Sequence, residues 1–192
     1  MNIFRRLTFA LLPLAMSFLA TGGQPTFAGQ TPQNASEDKP DTSPLIDKVR
    51  AATARFKDIN VAIAEGWVQG TPCVSGPDTG AMGVHFVQPA RIAAGVLQAD
   101  KPEALIYEPL ADGAFRLVGV EFIVLANVWQ KQHPAGGTPA LEGDLLNYVG
   151  APNRYGLPAF YELHVWAWQH NPKGSFADWN TAVSCDKQQA DD

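Results

Sequence analysis

The spacing of apolar residues changes at Gly66, and this change constrains the fold more than any other feature of the chain. Between Ser43 and Glu65 the apolar residues recur in steps of three and four, which predicts one long amphipathic helix. Ser43 followed by Pro44 is typical of a helix start. Beyond Gly66 the apolar residues alternate in short runs that turn residues separate, which predicts strands joined by loops.

The predicted strands are rich in Val, Ile, Phe, Tyr and Trp. The candidates are AMGVHFV, ARIAAGVLQ, EALIYEPL, FRLVGVEFIVLANVW, LLNYVG and AFYELHVWAWQ, although RIAAGVL also suits a short helix. One long helix followed by about five strands predicts an α+β domain, with the helix on one face of a curved, mostly antiparallel sheet. A small β-barrel-like domain with a flanking helix is the alternative. Either fold leaves a concave face for a ligand.

Residues 1–28 have the pattern of a secretory signal peptide. Arg5 and Arg6 precede an apolar run that Pro13 interrupts, and small residues stand at the positions that precede a cleavage site. We expect cleavage after Ala28. A membrane anchor is the weaker alternative, because a spanning helix needs about 20 apolar residues. The sequence therefore predicts an exported protein, periplasmic or secreted, with no membrane span after cleavage.

The remaining chain divides by composition into a leader, one domain and a short tail. Residues 29–43 are polar, which predicts a disordered leader. Residues 44–186 are numerous enough for a single domain with its own core. Residues 187–192 are expected to be frayed.

The chain is acidic overall, with a formal net charge of −5. It contains 14 Lys and Arg residues against 19 Asp and Glu residues, and the signal peptide accounts for two of the arginines. Because no basic cluster is present, charge gives no reason to expect nucleic-acid binding.

Cys73 and Cys185 are the two cysteines of the sequence. An even pair in an exported protein predicts a disulfide. Such a bond would connect the start of the sheet region to the C-terminal segment. A thiolate nucleophile or metal ligand is the alternative, and an oxidising compartment disfavours it.

A carboxylate occupies the middle of the most apolar predicted strand. Glu121 lies in LVGVEFIVLA, where an unpaired buried carboxylate would be costly. It must therefore be protonated, paired with a cation or bound to a metal ion. His85 in AMGVHFV raises the same question on another strand, and Glu108 in LIYEPL raises it near a strand end.

The last predicted strand carries a second group of polar residues. Strict alternation in FYELHVWAWQH places Glu162 and His164 on one face together with Trp166 and Trp168. Trp166, Trp168 and Tyr107 are candidates for an aromatic wall that stacks an apolar or planar ligand. The alternative is that these rings anchor the core.

His85, Glu121 and His164, placed on one concave face, would form a ligand set for a divalent transition metal. Glu108 or Glu162 could complete the set. The first hypothesis is an exported domain that binds a metal ion or another small ligand in a sheet-lined pocket. The second is a metal-dependent hydrolase or oxygenase that uses the same residues. The third is a structural or interaction protein without a site, in which the polar groups fix packing.

Several familiar catalytic motifs are missing from the sequence. It contains no G-x-S-x-G, no Gly-rich phosphate loop before a helix and no C-x-x-C. These absences argue against a serine hydrolase, a nucleotide-dependent enzyme and a thiol oxidoreductase.

Four segments resemble an uncharacterised family of secreted bacterial proteins. They are CVSGPDTGAMGVHFV, PEALIYEP, LVGVEFIVLA and NRYGLPAFYELHVWAWQHNPKGSFADWNTAVSC, and the resemblance covers residues 44–186. It implies a bacterial exported domain in which Cys73 and Cys185 belong to the family pattern. It implies no activity.

Overall fold

The computed structural model describes residues 43–188. The predicted signal peptide, the leader up to residue 42 and the last four residues lie outside the described part. Helices pack on a seven-stranded antiparallel sheet, which confirms the predicted α+β class. Within residues 43–188 no helix combines the length and the apolar character that a membrane crossing requires.

The first helix begins where the sequence predicts it. Helix α1 spans Pro44–Thr53, and the Ser43 Oγ accepts a hydrogen bond from the Ile46 N–H at 3.1 Å. This cap satisfies one of the N–H groups that a helix start leaves free. Leu45 and Val49 are buried against the sheet.

The prediction of one long helix is wrong. After α1 the chain continues as a 3-10 helix, Ala54–Lys57, and then as a separate helix α2, Ile59–Ala64. Between them Asp58 has an extended backbone, and its carboxylate accepts the Asn60 N–H at 2.9 Å. Both helices pack on the same core, but the predicted apolar stripe does not continue in α2, where Ala62 is buried and Ile63 is 54% exposed.

Nine strands occur within residues 43–188. Their bounds are β1 Val68–Gln69, β2 Val74–Gly76, β3 Gly80–Val87, β4 Ala104–Pro109, β5 Phe115–Leu125, β6 Ala140–Leu141, β7 Asp144–Leu145, β8 Asn147–Val149 and β9 Phe160–Val165. The main sheet has the order β1-β3-β4-β5-β9-β8, with β2 also paired to β3, while β6 and β7 form a separate hairpin. The sheet exceeds the expected five strands because β1 and β2 are too short to show an alternating pattern.

Two stretches within the predicted strands are helical. Helix α3 spans Pro89–Ala94 and ends at Gly95, whose φ of +65° is the left-handed conformation that glycine adopts easily. Helix α4, Ala126–Gln132, follows β5 directly. A short 3-10 turn, Ala111–Gly113, connects β4 to β5.

The sheet buries both of its faces. The first face packs against α1 and the 3-10 helix that follows it, and its buried residues are Val84, Phe86, Leu105, Tyr107, Leu117, Val120, Phe122, Val124, Leu163 and Val165. The second face carries a mixture of apolar and ionisable side chains. Its buried residues include His85, Ala104, Ile106, Glu121, Ile123, Glu162 and His164.

A β-bulge in β5 decides which of its residues reach each face. Tyr107 of β4 pairs with Leu117, but the register shifts at the preceding pair, so Val118 is an extra residue on β5. Leu117 consequently packs in the helix-facing core. Strict alternation would have placed it on the same face as Glu121.

Strand β9 ends at Val165, before the end of the predicted run. The Trp166 N–H donates to the Ser175 carbonyl at 2.9 Å, and the Trp168 N–H donates to the Val118 carbonyl at 3.1 Å. The carbonyl of the bulged residue Val118 therefore binds the segment that follows β9. Alternation along β9 does not extend to Trp168.

The predicted disulfide between Cys73 and Cys185 is present. The two Cα atoms are 5.6 Å apart, and 112 positions separate the residues in sequence. The Cys73 N–H also donates to the Gln188 Oε1 at 2.6 Å. The bond attaches the loop before β2 to the C-terminal segment.

Replacement of both Cys73 and Cys185 by alanine should lower the free energy of unfolding by about 4 kcal/mol, because the bond closes a long loop in the unfolded chain. Urea titration of the oxidised wild type and the double variant measures the difference. Wild type reduced with dithiothreitol serves as the control and should match the double variant. Equal unfolding midpoints for the oxidised protein and the variant would contradict this prediction.

Candidate functional site

Two histidines and one glutamate meet on the second face of the sheet. His85 comes from β3, Glu121 from β5 and His164 from β9. One ligand atom from each of the three lies within 4.8 Å of the others. Their exposed fractions are 4%, 7% and 2%. These three residues are the ligand set predicted from the sequence, and the structure brings them together.

Strand pairing explains how residues of three strands meet. Glu121 and His164 lie directly opposite each other on β5 and β9. His85 is one strand further away, because β4 lies between β3 and β5. The residue of β4 opposite Glu121 is Ala104, which is completely buried. Because Ala104 has only a methyl group, it leaves room for the His85 and Glu121 side chains to meet.

Both nitrogen atoms of the His85 ring have neighbours. Its Nδ1 lies 3.1 Å from the Thr71 Oγ1, and its Nε2 lies 3.4 Å from the Glu121 Oε2. The Thr71 hydroxyl also accepts the His85 backbone N–H at 3.2 Å. Burial and the nearby His164 lower the pKa of His85 to about 3, so this imidazole is neutral.

His164 is held by a carboxylate at one ring nitrogen. Its Nδ1 lies 2.7 Å from the Glu162 Oε2, and the Glu162 Oε1 accepts a hydrogen bond from the Asn147 Nδ2 at 3.3 Å. The same Asn147 amide donates to the Asp178 Oδ1 at 3.2 Å. The His164 Nε2 is buried and has no hydrogen-bond partner among the described residues.

His85, Glu121, Glu162 and His164 form one buried cluster. The pKa values of its members depend on one another. Burial alone would lower the pKa of His164, but the carboxylates of Glu121 and Glu162 outweigh it and raise that pKa to about 9. Burial raises the pKa of Glu121 to about 7, although His164 acts in the opposite direction. For Glu162, burial acts upward, yet the hydrogen bond with His164 and its charge leave the pKa lowered. At neutral pH His164 is thus protonated and Glu162 is ionised, whereas Glu121 titrates near pH 7.

A cavity of about 450 Å³ lies beside His85 and Glu121. Its remaining polar side chains are Thr71 and Tyr155. Most of its wall is apolar and consists of Val87, Ile92, Ile123, Leu125, Leu157 and Phe160. This combination of an apolar wall with a few polar groups at one place is typical of small-molecule sites.

A second cavity, of about 270 Å³, lies beside the other part of the cluster. Glu121 lines both cavities, whereas His164, Glu162 and Asp178 line only the second. Arg154 adds a cation to its wall. The cluster therefore separates an apolar cavity from a more polar one.

Glu108 lies apart from this cluster. It forms an ion pair with Arg116, and its Oε1 accepts the Ser184 N–H at 3.0 Å. These contacts satisfy the carboxylate near the end of β4. It belongs to neither of the two groups among the described residues whose ligand atoms are close enough to share an ion.

The three predicted wall aromatics do not line the apolar cavity. Tyr107 points into the helix-facing core, where its hydroxyl donates to the Phe56 carbonyl at 2.7 Å. Trp168 packs against the same core, and its Nε1 donates to the Thr53 Oγ1 at 3.1 Å. Trp166 lies parallel to the His164 ring with centroids 6.2 Å apart.

Sequence reasoning missed the outer partners of the two histidines. Thr71 lies in a loop 14 positions before His85, and Asn147 and Asp178 lie in separate segments. Their contacts depend on the paths of these segments over the sheet. No local spacing in the sequence indicates them.

Comparisons with protein-family models, with curated proteins and with solved structures found no match. The resemblance to secreted bacterial proteins stays a prediction.

Glu103 is a further buried carboxylate, outside the cluster. It is 1% exposed, and its Oε2 accepts the Ile123 N–H at 3.0 Å. Burial raises the pKa of Glu103 to about 8, and nearby Glu121 acts in the same direction while that hydrogen bond and Arg91 act in the opposite one. The folded protein thus holds a proton on Glu103 at pH values where the unfolded chain releases it.

This proton makes the folded state less stable as the pH rises. Between the unfolded pKa of 4.5 and the folded pKa of about 8 the folded state binds more protons, so the free energy of unfolding falls with increasing pH. The contribution of one group is at most about 1.4 kcal/mol per pH unit. Glu103→Gln should flatten this slope. Urea titrations of both proteins from pH 5 to pH 8, after EDTA treatment, measure it; identical slopes would contradict the prediction.

Proposed function

We propose that this protein binds one divalent transition-metal ion through His85, Glu121 and His164. The observation that carries the proposal is the His164 ring, whose Nδ1 is held by Glu162 while its buried Nε2 has no hydrogen-bond partner among the described residues. Histidines that bind metals usually have their other ring nitrogen bonded to a carboxylate, a carbonyl or water. Thr71 holds His85 in the same way.

A metal ion would satisfy the groups that the protein leaves unsatisfied. A buried polar atom without a partner costs about 1–3 kcal/mol. Binding would displace the proton that the His164 imidazolium carries on Nε2, and the ion would accept the lone pair left there. Its charge would also balance that of Glu121, a carboxylate that is only 7% exposed. Ligand atoms within 4.8 Å of one another are close enough to surround a single ion.

The donor set favours zinc as the first ion to test. Two imidazoles and one carboxylate are a common ligand set for Zn²⁺ and also for Fe²⁺. Three protein ligands leave at least one coordination position open for water or another ligand. We propose an exported location for this site, supported by the signal-like N-terminus and by the Cys73–Cys185 disulfide, which suits an oxidising compartment.

Removal of a ligand should abolish tight zinc binding. We expect the EDTA-treated wild type to bind one equivalent of Zn²⁺ in isothermal titration calorimetry. Glu121→Gln and His164→Ala should each lose more than ~100-fold in zinc affinity, because loss of a residue that only orients a ligand costs up to about 100-fold and loss of a ligand costs more. Metal analysis of untagged protein from its native compartment provides the second measurement.

His133→Ala is the matched control for this titration. His133 stacks on Trp129 at the end of α4 and belongs to neither candidate metal group, so its loss should leave zinc affinity unchanged. A wild type that binds no zinc, or a Glu121→Gln variant that binds it normally, would refute the proposal. The cluster would then be a buried charge network that fixes the packing of the sheet.

The outer partner Glu162 should tune the affinity without removing the site. Glu162→Gln keeps the shape of the side chain but weakens the orientation of His164, which typically costs about 10- to 100-fold in metal affinity. Asp178→Asn is the comparison, because Asp178, Glu162 and His164 form a second possible ligand group. Loss of zinc binding in Asp178→Asn together with normal binding in His85→Ala would place the ion in that second group instead.

A further inference from the structure

The cavity next to the proposed metal ion is polar at one place and apolar elsewhere. Its polar side chains are Thr71, His85, Glu121 and Tyr155. Helix α3 contributes Ile92 to the opposite wall, and residues from β3, β5 and β9 complete an aliphatic and aromatic surface. A ligand that matches this distribution has one polar end and an apolar body.

We propose that this cavity of about 450 Å³ holds the apolar body of a monocarboxylic acid whose carboxylate binds the ion. This inference rests on the metal site proposed above. It adds the chemical class of the ligand and the place where its apolar part lies.

Charge balance favours a carboxylate as the polar end. A divalent ion brings two positive charges, and Glu121 is the one carboxylate among its three protein ligands. Glu162 carries a second negative charge, but it accepts a hydrogen bond from His164 and lines the second cavity, where Arg154 supplies a further cation. A monoanion at an open position that faces the first cavity would neutralise the remaining charge of the ion and its three protein ligands. Oxygen donors of this kind suit zinc as well as iron.

The cavity reaches the protein surface between α3 and the loop before β9. Ala93 on α3 and Leu157 in that loop both line it, and both are exposed, Leu157 to 38%. A ligand can therefore enter without rearrangement of the sheet. The same geometry makes Ala93 a position from which a large side chain would fill the cavity.

Octanoate is the probe for the test, with butanoate and 1-octanol as comparisons. For the zinc-loaded wild type we expect octanoate to bind roughly 200-fold more tightly than butanoate, because four more CH₂ groups are buried. Octanol should bind at least ~10-fold more weakly than octanoate, since it brings no charge to balance the ion. Octanoate should bind far more weakly to the zinc-free protein. Isothermal titration calorimetry measures all four values.

Two tryptophan variants on one helix test where the apolar body lies. Ala93→Trp should weaken octanoate binding at least ~10-fold by filling the cavity, since ligand and side chain cannot share the volume. Ala94→Trp is the matched control, because Ala94 is exposed on the same helix and does not line the cavity. Both variants should bind zinc like the wild type.

The zinc titration separates the two proposals. Absence of zinc binding in the wild type refutes the metal site itself. Normal zinc binding with no octanoate binding, with equal affinities for octanoate and butanoate, or with equal octanoate affinities in the presence and absence of zinc overturns the ligand inference alone. Equal octanoate affinities of Ala93→Trp and Ala94→Trp overturn it as well.

Discussion

Strand β5 lies between β4 and β9 and is buried on both faces from residue 117 to residue 124. Polar side chains at these positions have little contact with water, so a charge on β5 needs partners among neighbouring residues. Glu121 is that charge. His164 lies opposite it on β9, and the small Ala104 on β4 allows His85 to reach it from β3. The composition of the site thus follows from the burial of one strand.

The site also depends on segments outside the sheet. Thr71, which contacts His85, precedes by two positions the cysteine that is bonded to Cys185. Asp178, which shares the Asn147 amide with Glu162, lies in the chain that leaves β9 after Val165. The loop next to the disulfide therefore supplies Thr71 and the C-terminal segment supplies Asp178, while the sheet supplies Glu162 and Asn147 as well as the three inner residues.

Local patterns predicted the inner residues of the site better than its surroundings. Glu121 stood out because a carboxylate in an apolar strand needs a partner, and the structure provides the His164 imidazolium opposite it on β9 and the neutral His85 ring at 3.4 Å. The predicted aromatic wall assumed that the alternation of β9 continues to Trp168, but the strand ends at Val165. Trp168 instead packs in the opposite core, and Tyr107 bonds the Phe56 carbonyl there. Aromatic side chains are buried in many parts of a protein core, so an aromatic residue in the sequence does not by itself indicate a ligand site.

The sequence by itself determined the α+β class, the start of the first helix at Ser43, the disulfide and the alternation that places Glu162 and His164 on one face. Each depends on interactions between near neighbours in sequence or on the presence of just two cysteines. Only the tertiary structure decided the helix break at Asp58, the bulge at Val118 and the strand register that sets Glu121 opposite His164. Register depends on packing between strands that are distant in the chain, so the local spacing of residues does not indicate it.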